Sequence, residues 1–149
     1  MGQPRIVRVT PTVTAGAYSA NDVVGATLTF SGIPDKGFIV SLTVVDQAKQ
    51  AGAYQLVLFD SLPTNIADNG AYDIADADLP KIVGAIHLTD TAGADKFDFS
   101  DNKIYMRQAL VIPYRLAGGS TSLYGFLIAL GSPTFAATTD VQVQLGIDG

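Results

Sequence analysis

The chain has 149 residues, 48% apolar and 15% charged, with a net charge of −5 and no cysteine. That length suits one domain with a proper core, and the hydrophobicity lies well away from disordered compositions. The acidic balance argues against a nucleic-acid binder, and the missing cysteine excludes disulfides, thiolate metal sites and a cysteine nucleophile.

All fourteen acidic residues are Asp. Asp favours caps and turns, so with fifteen Gly and abundant Val and Thr it points to strands joined by many turns. The start, MGQPRIVRVTP, has no apolar leader pattern, and Ile6 stands where a myristoylation motif needs Ser or Thr. No run approaches the length of a membrane helix. The expectation is an unprocessed chain with no membrane contact.

Residues 1–23 read as an extended N-terminal arm, and 24–149 as the folded domain. In the arm, Ile6, Val7 and Val9 interleave with Arg5, Arg8 and Thr10 before Pro11 interrupts. Proline cannot donate to a ladder, which makes this an edge segment or a tail. GATLTF (25–30) alternates, with Ala26, Leu28 and Phe30 on one face. FIVSLTVVD (38–46) puts Phe38, Val40, Leu42 and Val44 on one face, and YQLVLFD (54–60) reads as a buried strand. The excursion 61–81 follows, with a turn at Asp68-Asn69-Gly70 and one helical or 3-10 turn at ADADLP.

IVGAIHLT (82–89) carries Gly84 in its middle, the mark of a bulge or a close backbone approach. A polar loop holds Phe97 and Phe99. YMRQALVIPYRL (105–116) is a strand interrupted by Pro113, SLYGFLIALG (122–131) is the most apolar strand, and VQVQLGI (141–147) alternates cleanly. About eight strands separated by turn clusters predict an all-β fold, an antiparallel β-sandwich of jelly-roll type. The long segments 61–81 and 89–104 are expected to cross between its two sheets.

The residues offer little chemistry. Asp73, Asp76 and Asp78 form the best candidate for calcium, which takes several close oxygen ligands. The plainer reading is that they cap a turn, and the EF-hand pattern is absent. His87 alternates with Ile86 and Leu88, and no GxSxG elbow accompanies it for acyl transfer. One histidine without cysteine is a poor zinc set. Gly118-Gly119 lacks the lysine and helix of a phosphate loop and reads as a hairpin turn. Tyr72, Phe97 and Phe99 are candidate surface contacts for a sugar or a partner, although aromatics are more often core. The expectation is no enzyme and no required cofactor.

Two stretches carry a family resemblance. The first contains Pro11, Gly16, Tyr18, Asp22, Val24 and Gly25. The second contains Leu58, Phe59, Pro63, Thr64, Asp68, Asn69, Asp76, Asp78, Lys81 and Gly84. Their pattern resembles capsid decoration, or cement, proteins of tailed bacteriophages. That resemblance implies a jelly-roll-like module, commonly a homotrimer, on the outer capsid surface of the virion, bound to the major capsid protein. It also implies that an arm makes the contact, here Arg5, Ile6, Val7, Arg8, Val9, Pro11 and Val13. The competing expectation is a carbohydrate- or host-surface-binding module of a phage tail or fibre.

Overall fold

The computed structural model describes residues 2–149. Its strands are β1 (Pro4–Val9), β2 (Val23–Ser31), β3 (Lys36–Asp46), β4 (Tyr54–Phe59), β5 (Ile82–Leu88), β6 (Lys96–Asp98), β7 (Lys103–Arg107), β8 (Ile112–Arg115), β9 (Ser122–Ala129) and β10 (Val141–Asp148). One 3-10 turn, Asp76–Lys81, precedes β5.

The pairing is that of a long hairpin. β1 pairs with β10, β2 with β9, β3 with β7 and β8, and β4 with β5, all antiparallel. Rolling this hairpin adds the pairs β3–β10 and β4–β9. Two sheets result, ordered β1-β10-β3-β7-β6 with β8 also on β3, and β2-β9-β4-β5. This is a jelly roll, the expected fold, with β7 and β8 as one broken strand and β6 as an addition.

Between the sheets lies a continuous core that includes Leu28, Phe30, Leu42, Val44, Tyr54, Leu56, Leu127, Val143 and Leu145. β10 behaves as its alternation requires, with Val141, Val143, Leu145 and Ile147 buried. β3 does not. Its register against β10 shifts between Ser41 and Ile39, so Val40 is bulged out of the ladder. One extra residue reverses the alternation beyond it. Ile39 is therefore fully buried, while Phe38, expected in the core, is 46% exposed.

The break in the strand 105–116 also falls elsewhere than expected. Residues 108–111 leave the ladder at Ala109, which has φ +57°, and Pro113 sits inside β8 opposite Phe38. Gly84 fulfils the first expectation made of it, a bulge, and its close neighbour is a side chain. The β4–β5 register shifts beside it, and a Cβ there would lie 2.9 Å from Ile112 Cγ2.

The excursion 61–81 is a correction. It joins β4 to β5, neighbours in one sheet, so it is the tip of the hairpin and not a crossing between sheets. It folds over the far face of the four-stranded sheet, where Ile66, Tyr72 and Ile74 pack on Val23, Val57, Phe59, Phe126 and Ile128. Phe59 and Phe126 meet edge to face at 5.5 Å. Each such fully buried ring contributes roughly 1.5–3 kcal/mol. With both faces of this sheet covered, SLYGFLIAL has no reason to alternate. The segment 89–104 does cross from β5 to the other sheet, as expected, and forms β6 on the way.

The residues expected as an arm lie against the domain. Pro4–Val9 is the edge strand β1, and Val13 and Tyr18 are buried in the main core.

Candidate functional site

Three features stand out: a carboxylate that ties the hairpin tip to β2, a charged network at the 89–104 crossing, and a set of exposed apolar side chains.

Asp68 organises the first. Its Oδ1 accepts from the Tyr18 hydroxyl and the Gly25 amide, both at 2.6 Å, and its Oδ2 accepts from Thr14 Oγ1 at 2.6 Å. Backbone bonds extend the seam: Asn69 N–H donates to Val23 C=O, Val23 N–H to Gly70 C=O, and Tyr72 N–H to Asn21 C=O. The sequence supports this locally. Gly25 and Ala26 both have positive φ, which makes the wide bulge in β2 that turns the Gly25 amide toward Asp68. Burial and the bond to Asp68 push the Tyr18 hydroxyl up to about 12. These groups are satisfied by one another. They clasp the chain and present no reactive atom.

Asp78 does similar work at the base of the tip. Buried, it accepts from the Thr64 amide at 2.8 Å and from Lys81 Nζ at 2.7 Å. The Lys81 ammonium and that amide hold its carboxyl below the usual range. Asp73 and Asp76 are exposed. Among the described residues no group of three His, Cys, Asp or Glu side chains is placed to hold a metal ion. The structure thus does not bring Asp73, Asp76 and Asp78 together as calcium ligands, because Asp78 has spent both oxygens on the chain itself.

The second feature escaped the sequence reading. Asp90 lies 3.1 Å from Lys96 Nζ and 3.5 Å from Lys103 Nζ, and accepts from the Gly52 amide at 2.7 Å. Lys103 is buried and sits 5.5 Å above the Tyr105 ring. Asp95 takes two bonds from Arg107, at 2.6 and 3.2 Å, and two from Thr89. Burial raises both carboxyls, but these donors outweigh it and hold them low. Asp46 is the opposite case: burial pushes its carboxyl up despite the Gln50 and Ala48 amides. The only sequence signal was a loop rich in Asp followed by Lys103 and Arg107, which no spacing rule distinguishes from a solvated turn.

The third feature is where binding to another molecule is physically accessible. Phe97 and Phe99 are 45% and 53% exposed and line a shallow groove of about 560 Å³ with Ile104, Met106, Lys96 and Asp98. Tyr72 is not with them, since it packs over the other sheet. Within the expected arm, Arg5, Ile6 and Arg8 are exposed, and Val7 and Val9 are half-buried. Pro11 and Val13 are buried within the chain and unavailable for contact. His87 is exposed on β5, away from the face of Ile86 and Leu88, as its alternation predicts.

No protein-family model matches the chain, and no curated protein matches it. Solved structures similar to it include a chain of the full particle of Israeli acute paralysis virus heated to 63 degrees. That likeness has 10% identity and a TM-score of 0.35, over 99% of this chain and 71% of that one. A marine algae virus of the order Picornavirales gives 12% identity and a TM-score of 0.25, over 99% and 69%. The fold assignment rests on the strand order itself.

Proposed function

We propose that this chain is a virion structural protein, a bacteriophage decoration protein that binds the outer surface of the shell and stabilises it. One observation carries the reading. The two stretches of the decoration-protein resemblance, around Tyr18–Gly25 and around Asp68–Gly84, meet at the Asp68 carboxylate. A pattern whose members hold the fold together marks an architecture, and a decoration protein needs an architecture with contact surfaces rather than a reactive site. In this reading the chain is not an enzyme and needs no cofactor. Its partners are the major capsid protein and further copies of itself, as a homotrimer.

The contact falls on Arg5, Ile6 and Arg8 of β1, which are exposed on the sheet edge. Removing residues 1–13 would delete a strand and the core residue Val13, so charge reversal is the cleaner test. Purified protein is mixed with expanded shells of the major capsid protein and sedimented. The expected result is saturable binding by the wild type and weak binding by Arg5→Asp/Arg8→Asp. A wild type that stays in the supernatant removes the decoration reading. A variant that reaches full occupancy removes the β1 contact.

The groove at Phe97 and Phe99 favours the second reading, a carbohydrate- or host-surface-binding module, because exposed rings offer a flat apolar platform. A glycan array that binds the wild type and not Phe97→Ala/Phe99→Ala would select it.

A further inference from the structure

β1 is the last strand of its sheet, six residues long and paired on one side only. The Gln3 N–H donates to Gly149 C=O at 3.2 Å. Antiparallel pairing alternates, so Arg5, Val7 and Val9 also turn their backbone groups toward β10. Ile6 and Arg8 then turn their N–H and C=O groups outward, and among the described residues no backbone group bonds them from that side. Their side chains are exposed as well, with Ile6 at 55%.

Natural sheets usually blunt such an edge with proline, a bulge or a covering loop. Here Pro4 blocks one end and the rest is open. Charge favours an acidic partner: Lys81, Lys96, Lys103 and Arg107 pair with aspartates, whereas Arg5 and Arg8, like Lys36, Lys49 and Arg115 elsewhere, form no ion pair among the described residues. Arg5 donates instead to the Gly32 carbonyl at 3.0 Å.

We infer that the free edge of β1 binds its partner by strand addition, accepting an extended acidic segment whose backbone bonds to Ile6 and Arg8. Carboxylates of that segment face Arg8 and Arg5, and an apolar side chain lies against Ile6. Main-chain bonds supply the affinity of this mode and side chains the selectivity. A second copy of β1 is a poor occupant, because it brings two more arginines to the same strip. The inference rests on the reading that this segment touches the shell protein, and it adds how the contact is made.

The outward amide of Ile6 provides the test. Ile6→Ala removes the side chain and keeps the N–H, while Ile6→Pro removes the N–H as well. That amide faces away from β10, so both variants should melt as the wild type does. In the shell sedimentation assay, strand addition predicts a modest loss for Ile6→Ala. For Ile6→Pro it predicts a further fall in affinity of about tenfold, the size of one hydrogen bond. Equal binding by the two variants overturns strand addition and leaves the shell contact standing. If the wild type binds no shell, the virion reading fails, and strand addition is read directly. A synthetic hexapeptide Val-Asp-Val-Val-Asp-Val, whose aspartates stand three apart as Arg5 and Arg8 do, should then slow amide exchange at Ile6 and Arg8, and its counterpart with lysine in place of aspartate should not. Unchanged exchange at both amides overturns the inference.

Discussion

Tyr18 and Asp68, fifty residues apart in sequence, are joined by a hydrogen bond of 2.6 Å from the phenol to Oδ1. This contact fastens the hairpin tip to the segment entering β2, and the cover on the four-stranded sheet depends on it. Without the tip, the cluster around Phe59 and Phe126 would lie open to water.

Replacing Asp68 with Ala strands three donors, the Tyr18 hydroxyl, the Gly25 amide and Thr14 Oγ1. Each donor left without an acceptor costs about 1–3 kcal/mol where it is buried, and the three are coupled. A total loss of about 2–4 kcal/mol is expected. Asp68→Asn keeps one acceptor oxygen and should lose less. Urea titration of the three proteins measures the ordering.

The same contact makes stability sensitive to alkali. An unfolded tyrosine ionises near pH 10, whereas folded Tyr18 holds its proton to about 12. Between those values the unfolded state binds fewer protons, so the contribution of Tyr18 to stability falls as pH rises and levels off beyond 12. Below pH 10 the contribution is fully present. Other buried tyrosines, Tyr54 and Tyr105, are raised as well and add to the fall. Tyr18→Phe should show a shallower loss from pH 10 to 12 by thermal melting, and equal slopes would disprove the assignment.

Burial on β3 gives an opposed pair of neighbours. Ile39 is fully buried and Phe38 is 46% exposed, on the strength of one bulge at Val40. Ile39→Ala should cost about 2–4 kcal/mol. Phe38→Ala should cost less than about 1 kcal/mol. The reverse ordering in denaturant midpoints would place the bulge elsewhere.

Gly25 has φ +85°, and a Cβ there would collide with the Pro11 ring. Gly25→Ala combines left-handed strain of about 1–3 kcal/mol with that clash. It should lower the melting temperature more than Gly118→Ala, where a Cβ meets nothing and φ is not positive.

Bound calcium would raise apparent stability by mass action. With Asp78 engaged by Lys81 and Thr64, the melting temperature should be the same in EDTA as in millimolar calcium. A rise with calcium would restore an ion site at the tip.

The strands were legible because the local signals agree: VQVQLGI alternates, Gly and Asp punctuate the turns, and no helical period competes. The 3-10 turn at Asp76–Lys81 and the bulge beside Gly84 were legible for the same reason. The aromatic groove was half legible, since Phe97 and Phe99 do share it and Tyr72 does not.

By itself, then, the sequence determined an antiparallel β fold and the residue types available to it, since alternation and turn chemistry are properties of neighbours in the chain. Tertiary structure decided which face Phe38 takes, that the tip covers a sheet instead of crossing between two, and that Asp68 is a clasp. It also decided that β1 offers a bare edge. Each of these depends on a partner forty or more residues away, or on one inserted residue, and local pattern carries neither. The register shift at Val40 reverses a whole strand end for a single residue, and the carboxylate of Asp68 finds its donors only after the hairpin has rolled.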